Sequence, residues 1–548
     1  MPPSSIKPKK ELSNSVSEIS DTFNRYTAQS AQRTDNLASD LDVCSAPMKK
    51  RSLILITVDC LRADHVGFLG YSRPVTPFLD SLAANSLVFS QAIVAGAPTY
   101  FSLPAIMASR YPLALGRDIL GIAPGEPTLA TALQQAGYFT AAFLAGNPYL
   151  SARFGYHQGF ETFRDFLDSS LPGDSVPNPP ASGISKLNLQ LQRASRRSPV
   201  SAAAYDELYF WYCQCRFRRE TASMDRLRRY PAADVIVDQA RSWLSGFGNE
   251  PFFLWLHLMD PHHPYYPPRE ALSALGDSRI TDRRARFLNS FWNRDISRQK
   301  AQPYRAEIIS LYDAGIHWVD KQIARLVRSL EQFKKWDDTV FAVTADHGEE
   351  FLEHGNRYHS PTNLLDPLIR VPLLVRAPGT SAARFPESFS LINLAPTLLE
   401  AVGAAVPENS QGRSHWQEIA LVTLSSQPAI VECIAECNNP FQTVDRMSSR
   451  LMSVRDSEHK LVLHFGEKTE LLFDLKSDPG ENSPLPVGAL PQTRTRLLRL
   501  ALMHIRGMQQ GREWKLRLRA RVRDLQQSID KRRVDPKADT RSISTLAR

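Results

Sequence analysis

Residues 52–59 read SLILITVD, a run of apolar and β-branched side chains that stops on a carboxylate. Eight residues is strand length, and the absence of alternation marks a strand buried on both faces. Two more stretches are built the same way: residues 252–260 read FFLWLHLMD and residues 339–348 read TVFAVTADHG. Between them the hydrophobic period lengthens to that of helices, at 76–85, 102–109, 128–136, 233–244, 304–333 (one long helix or a pair) and 395–402, with another strand at 139–144. Such alternation predicts an α/β fold, a mostly parallel sheet sandwiched by helices. In sheets of this kind chemistry gathers beyond the carboxyl ends of the strands.

Outward from these strands the pattern changes. Residues 1–47 are polar and aperiodic and read as a disordered arm, which leaves 48–425 as a catalytic unit. Met48 opens MKKRSLILITVDC, whose apolar run is short for a signal peptide; Met48 reads equally as an alternative start. Residues 165–230 interrupt the helix and strand pattern with LPGDSVPNPPASG and ELYFWYCQCRFRRE, an insertion read as a lid. Residues 426–493 read as a small α+β domain, with SVRDSEHKLVLHF and ELLFDL as strands of an antiparallel sheet, and 494–548 as a basic helix and tail.

The chain has 548 residues, 43% hydrophobic and 22% charged, and no apolar run of membrane-spanning length, which excludes a disordered chain and an integral membrane helix bundle. Its net charge of +9 is local. Thirteen Lys or Arg and three Asp or Glu between Arg494 and Arg533 leave that stretch at +10 and the remainder at −1, so the body has no charge signature of nucleic-acid binding. The basic stretch carries Leu497, Leu498, Leu500, Ile505, Trp514, Leu516, Leu518 and Val522. It reads as a helix docked through its apolar face, with contact to a membrane surface as the alternative. Six cysteines without a repeated CxxC pair fit reduced thiols and a cytoplasmic location.

Strand ends deliver Asp59, Asp346-His347-Gly348-Glu349 and Asp260-Pro261-His262-His263-Pro264. Each residue alone also fits a helix cap or a packed histidine. Converging at one sheet edge, carboxylates and imidazoles form an O/N ligand set suited to Mg, Mn, Zn or Ca.

LILITVDCLRADHVGFLGY, TPFLDSLAANSLVFSQAI, PTYFSLPAIMASRYP, FLWLHLMDPHHPYYPP, AVTADHGEEFLEHG, RYHSPTNLLDPLIRVPLLVRAPG, LINLAPTLLEAVG and ELLFDLKSDPGENSPL, in that order, resemble the sulfatase branch of the alkaline phosphatase superfamily. The resemblance covers about residues 50–485. It implies a metal-assisted ester hydrolase in which Asp59, Thr99, Asp346 and His347 hold one divalent cation (Mn, Zn, Ca or Mg). Counting back from Ser109-Arg110-Tyr111-Pro112 puts Thr99 at the family's nucleophile. Phe101 and Leu103 stand where the formylglycine motif has Pro and Arg, so no formylglycine is expected. Thr99 resembles instead the Thr nucleophile of the superfamily's phosphodiesterases and phospho-alcohol transferases.

Cys60, where many sulfatases have a second Asp, reads as a packed thiol. The resemblance further implies His262 and His359 as catalytic groups, and His263, His354 and Arg357 as substrate-binding groups. Structural histidines and an exposed arginine are the alternatives for these. A two-metal variant would recruit Asp260, His263 and His359. The expected activity is hydrolysis of a sulfate or phosphate ester, with a phosphodiester or phosphonate ester favoured, in a small-molecule, glycan or lipid substrate. Its rivals are transfer of a phospho-alcohol group to a glycan or lipid acceptor, and a non-catalytic binding protein that keeps the fold.

Overall fold

The computed structural model describes residues 50–167, 190–191, 194–195, 201, 204–205, 208, 223–294, 296–438, 440, 448–486, 488–509 and 514–534. The expected N-terminal arm, most of the 165–230 insertion and the end of the basic tail lie outside them.

Eight strands form the large sheet: β1 (Ser52–Val58), β2 (Leu87–Ile93), β3 (Phe139–Leu144), β4 (Thr162–Arg164), β5 (Phe252–Leu258), β6 (Thr339–Ala345), β9 (Arg370–Arg376) and β10 (Ala383–Ser390). Their order is β10-β2-β9-β6-β1-β5-β3-β4. All neighbouring pairs are parallel except the two made by β9, which runs against β2 and β6. The fold is therefore the expected mostly parallel α/β sheet. The three runs that end in polar residues are adjacent at its centre, and every residue of β1, β5 and β6 is buried.

Helices cover the sheet: α1 (Pro77–Ala83), α2 (Thr99–Ala108), α3 (Leu129–Gln135), α4 (Ala233–Ser245), α5 (Asp282–Trp292), α6 (Arg305–Gln332) and α7 (Leu394–Ala401). Residues 305–332 form one continuous helix, whose buried face includes Ile308, Leu311, Ile323, Leu326 and Leu330. The i, i+3, i+4 spacing of these positions fixes that face.

Sequence periodicity missed β2, β9 and β10, and β9 shows why. Its run RVPLLVR contains Pro372, a residue that argues against an interior strand. The edge of the β6 ladder accommodates it: Pro372 faces β6, whose pairing with β9 ends at Thr344 opposite Leu373, one residue short of Pro372, so no ladder hydrogen bond is asked of the missing N–H. The Pro372 carbonyl still accepts a bond from Thr344 Oγ1 at 2.8 Å.

A second sheet, β11 (Ala429–Ile434), β12 (Arg450–Arg455), β13 (His459–His464) and β14 (Thr469–Asp474), is antiparallel throughout. Helix α8 (Pro491–Gln509) closes it with Leu497 and Ala501 against Met452, Val454, Leu461 and Leu472. Helix α9 (Trp514–Val534) departs from expectation. It lies on the large domain through Leu516 and Ala520, packed with Leu115, Ile119 and Ala123, and leaves Trp514, Leu518 and Val522 exposed.

Asp320 of α6 accepts from the backbone N–H groups of Phe78 (3.0 Å) and Leu79 (2.8 Å), at the open N-terminus of α1. Burial pushes its carboxyl up to about 7. A carboxyl raised on folding favours the native state at low pH, so this group withdraws stability as pH climbs from about 4 toward 7. Asp320→Asn should flatten the rise and fall of melting temperature across that window, and should lower it at pH 5, because one acceptor oxygen is lost. Thermal melts across pH test this; an unchanged slope would sink it.

Candidate active site

The parallel register of β1, β5 and β6 aligns Val58 with Leu258 and with Ala345. The next residue of β1 and of β6 is therefore a carboxylate at the same sheet edge, Asp59 and Asp346. Helix α2 begins at Thr99, three residues before the periodicity places it, so Thr99 stands in the first turn of a helix whose N-terminus meets that edge. Thr99 Oγ1 lies 3.0 Å from His347 Nε2 and 3.5 Å from Asp59 Oδ2. His347 Nε2 is 3.6 Å from both Asp59 Oδ1 and Asp346 Oδ2. The four expected cation ligands are thus brought together, and all are buried.

The imidazole of His347 is aimed by its other nitrogen. Nδ1 sits 2.8 Å from the Gly348 carbonyl, an acceptor only, so Nδ1 carries the proton and the Nε2 lone pair faces the cluster. Gly348 is required here, since a Cβ would stand 1.9 Å from the Pro367 carbonyl.

Two residues that periodicity did not single out complete the surroundings of Asp59. His257 Nε2 lies 3.3 Å from Asp59 Oδ2, and its Nδ1 lies 2.9 Å from Thr57 Oγ1, which in turn accepts from Trp255 Nε1 at 3.0 Å. Asn147, just beyond β3, donates to the same Oδ2 at 3.0 Å. The signals were present: one imidazole inside an apolar strand, and an amide just past a fourth strand end. Against the cost of burial, His262, the His257 hydrogen bond and His347 hold Asp59 well below the usual carboxylate range. Burial, reinforced by the charge of Asp59, raises Asp346.

His359 and His262 flank this cluster, half-buried, with the His359 ring 4.8 Å from that of His347 and 5.1 Å from that of His262. Although burial pulls the other way, the Glu349 carboxylate, 3.3 Å from His359 Nδ1, raises His359. Burial lowers His262, and the charge of His359 adds to that. Glu349 was read only as part of a strand-end block. The Cys60 thiol is buried, 3.1 Å from Asp59 Oδ1 and 3.5 Å from His359 Nδ1, and burial raises it well above its usual range.

The remaining residues read as site groups are placed differently. Arg357 donates to the Trp292 and Arg294 carbonyls at the end of α5 (2.6 and 2.8 Å) and lies over the Trp292 ring. Its charge thereby satisfies the open carbonyls of a helix C-terminus. His354 meets Glu350 and, at 3.0 Å, the Gly480 carbonyl. His263 packs edge-on against Tyr265 and Tyr358. Asp260 accepts from Ala233 N–H at the start of α4 (3.0 Å), and burial pushes it up to about 7. Among the described residues, three groups of potential ligand atoms lie within 4.8 Å of one another, and none includes Asp260 or His263.

The donors fit a divalent cation. Two adjacent buried carboxylates repel one another, and Asp346 Oδ2 has no hydrogen-bond partner among the described residues. Charges taken out of water need such compensation. Asp346→Ala or His347→Ala should remove bound metal, with one ion per chain in the native protein by elemental analysis. His257→Leu should weaken Mn²⁺ binding by about 10–100-fold, the scale for a group that orients a ligand. His257→Gln, which keeps a donor for Asp59, should recover much of it in calorimetric titration. Equal losses would make the ring nitrogen itself a ligand.

The Sulfatase family profile matches residues 51–404, more than half of the chain, and the profile described as N-sulphoglucosamine sulphohydrolase, C-terminal, matches residues 353–486. The multifunctional alkaline phosphatase superfamily protein PehA of Trinickia caryophylli is 24% identical over 294 residues, 47% of this chain. That match spans 56% of PehA, little more than half its length. An arylsulfatase of Clostridium perfringens is 22% identical over 489 residues, 79% of this chain and 89% of its own. The crystal structure of the phosphonate monoester hydrolase of Agrobacterium radiobacter shares the fold at a TM-score of 0.57 and 19% identity, over 86% of this chain and 96% of that one. With the strands and the helix that assemble the cluster all inside the matched segment, the chain belongs to the sulfatase family.

Proposed function

We propose that the protein is a metal-dependent ester hydrolase in which Thr99 is the nucleophile, with phosphodiesters or phosphonate esters preferred to sulfate esters. The observation that carries the reading is Thr99 Oγ1 at the N-terminus of α2, 3.0 Å from His347 Nε2 and beside two buried carboxylates. Asp59, Asp346, His347 and Thr99 would hold one cation, Mn, Zn, Ca or Mg, which when bound lowers the pKa of a hydroxyl and draws charge from the ester oxygens. The helix N-terminus adds positive potential at Thr99.

The Thr99 hydroxyl gives its proton up to water and its oxygen attacks phosphorus, the bond to the leaving oxygen breaks as that oxygen takes a proton, and the group passes to Thr99 as an ester. His359, whose hold on a proton the neighbouring Glu349 carboxylate strengthens, and His262 are the groups at the solvent side of the cluster placed to serve the leaving oxygen as proton donors. Water then attacks phosphorus and frees Thr99.

The preference follows from residue 99 being threonine. Formylglycine allows release of sulfate by breaking a hemiacetal C–O bond, a route closed to a threonine ester, whereas a phosphate ester is open to attack at phosphorus. The substrate class is a small-molecule, glycan or lipid ester. The location that goes with this reading is cytoplasmic, on the six cysteines spaced without a repeated CxxC pair.

A panel of aryl sulfate, phosphate monoester, phosphodiester and phosphonate ester substrates with added metals tests the reading. Turnover of phosphodiester or phosphonate ester should exceed that of sulfate, with no maturation enzyme needed. Thr99→Ala should lose roughly two to three orders of magnitude in rate while the anion-binding groups remain, and Thr99→Ser should keep part of the activity. A fully active Thr99→Ala protein would remove Thr99 from the chemistry, and sulfate turnover at or above the others would reverse the preference.

A further inference from the structure

Helix α9 has apolar residues on two sides, small ones toward the body and a row of large ones away from it. At 3.6 residues per turn, Trp514, Leu518, Val522, Leu525 and Ile529 fall within about 80° of arc. They are 63, 53, 56, 64 and 47% exposed. The side that meets the protein carries Leu516, Ala520, Arg523 and Gln527, centred about 170° away on the same wheel. That contact is specific: Ala520 is buried with Leu115, Ile119 and Ala123, Arg523 donates to the Leu120 carbonyl at 3.0 Å and to the Ile122 carbonyl, and Gln527 Nε2 donates to the Arg153 carbonyl at 2.9 Å. The helix is thus anchored with its apolar stripe facing directly away from the body.

Cations border the stripe on both sides. Lys515 and Arg519 follow one edge, and Arg517 and Arg521 the other, all exposed. Asp118 is the acidic side chain that Arg517 (3.8 Å) and Arg521 (2.7 Å) reach, and both arginines remain about half exposed. Five large apolar side chains in a straight row about 22 Å long, a tryptophan at one end and basic residues along both edges, form the pattern of a helix that lies in the plane of a membrane interface. No described helix is long and apolar enough to cross a membrane.

We propose that α9 docks the protein on an anionic lipid surface, with the 514–529 stripe entering the headgroup boundary and Lys515, Arg517, Arg519 and Arg521 meeting lipid phosphates and carboxylates. A second copy of the chain is a poorer occupant, because pairing two such stripes sets arginine rows against arginine rows. An acidic protein surface matches the charge, but a convex row with no rim gives it no groove to fill, whereas a plane meets the row along its whole length.

The full chain is floated with phosphatidylcholine vesicles with and without phosphatidylserine, at low and high salt. Binding should be at least about tenfold stronger with phosphatidylserine and should fall with salt, since the four basic residues are drawn to an anionic surface by charge that ions screen. The pair Leu518→Gln and Leu525→Gln should lose about tenfold. The pair Lys515→Gln and Arg519→Gln should weaken the salt-sensitive binding while keeping the residual binding to neutral vesicles. Each variant is checked for unchanged ellipticity and melting temperature; a variant that fails is replaced by Val522→Gln. Binding indifferent to phosphatidylserine, or unmoved by the stripe variants, would overturn the proposal. So would a lipid-free dimer in sedimentation that the stripe variants dissolve, which would give the stripe to a second copy.

Discussion

Two carboxylates, Asp59 and Asp346, stand side by side out of water at the ends of neighbouring strands, and the rest of the site answers to that repulsion. Left alone, one of them would take up a proton, and the raised Asp346 beside a lowered Asp59 shows the direction of that tendency. The protein spends its donors on Asp59: the imidazole of His257, the amide of Asn147 and the thiol of Cys60 all point at it. Asp346 is left with an oxygen that no described side chain satisfies. That asymmetry is what a divalent cation requires, one carboxylate held in place by hydrogen bonds and another with a lone pair to give.

The sheet supplies the precision. Parallel strands in register end together, so β1 and β6, neighbours in space, bring Asp59 and Asp346 side by side although nearly 290 residues of chain separate them, and β5 on the other side of β1 adds His257. The relay from Trp255 through Thr57 to His257 and Asp59 runs across β5 and β1 inside the core, where low dielectric strengthens each bond and fixes the tautomer of the next. Close packing at Gly348 sets the His347 backbone against Pro367 with no room for a methyl group. Thr99 arrives from a different layer, carried by the first turn of α2.

The C-terminal segments divide the work of a basic sequence. Helix α8 spends its apolar residues on a sheet that needs a cover, whereas α9 finds on the large domain a shallow patch of Leu115, Ile119 and Ala123 that accepts small side chains and arginine hydrogen bonds. A helix with two usable faces docks by the one whose partners exist. The apolar stripe is exposed for that reason, and hydrophobicity of the segment alone points to the wrong face.

Short apolar runs that stop on a carboxylate were legible in the amino-acid sequence, because a strand buried on both faces has no alternation to disguise it and its end must be polar. From them came the parallel sheet, Asp59, Asp346 and His347; the ordered sequence blocks added Thr99. β9 and β10 were illegible, since each carries a proline, Pro372 and Pro386, that argues against a strand, and where a ladder stops or slips to admit it is a property of the pair. His257 and Asn147 were hidden for a related reason: a polar residue near a strand end gains meaning only once its neighbours are known, and strand order is set by packing. Arg357 and His354 shared a stretch with His359, yet backbone geometry turned Arg357 to the end of α5 and His354 to Gly480. The sequence by itself determined which strands end on acidic residues and imidazoles. Tertiary structure decided which side chains surround them, because neighbours far apart in the chain become partners only through the register of the sheet.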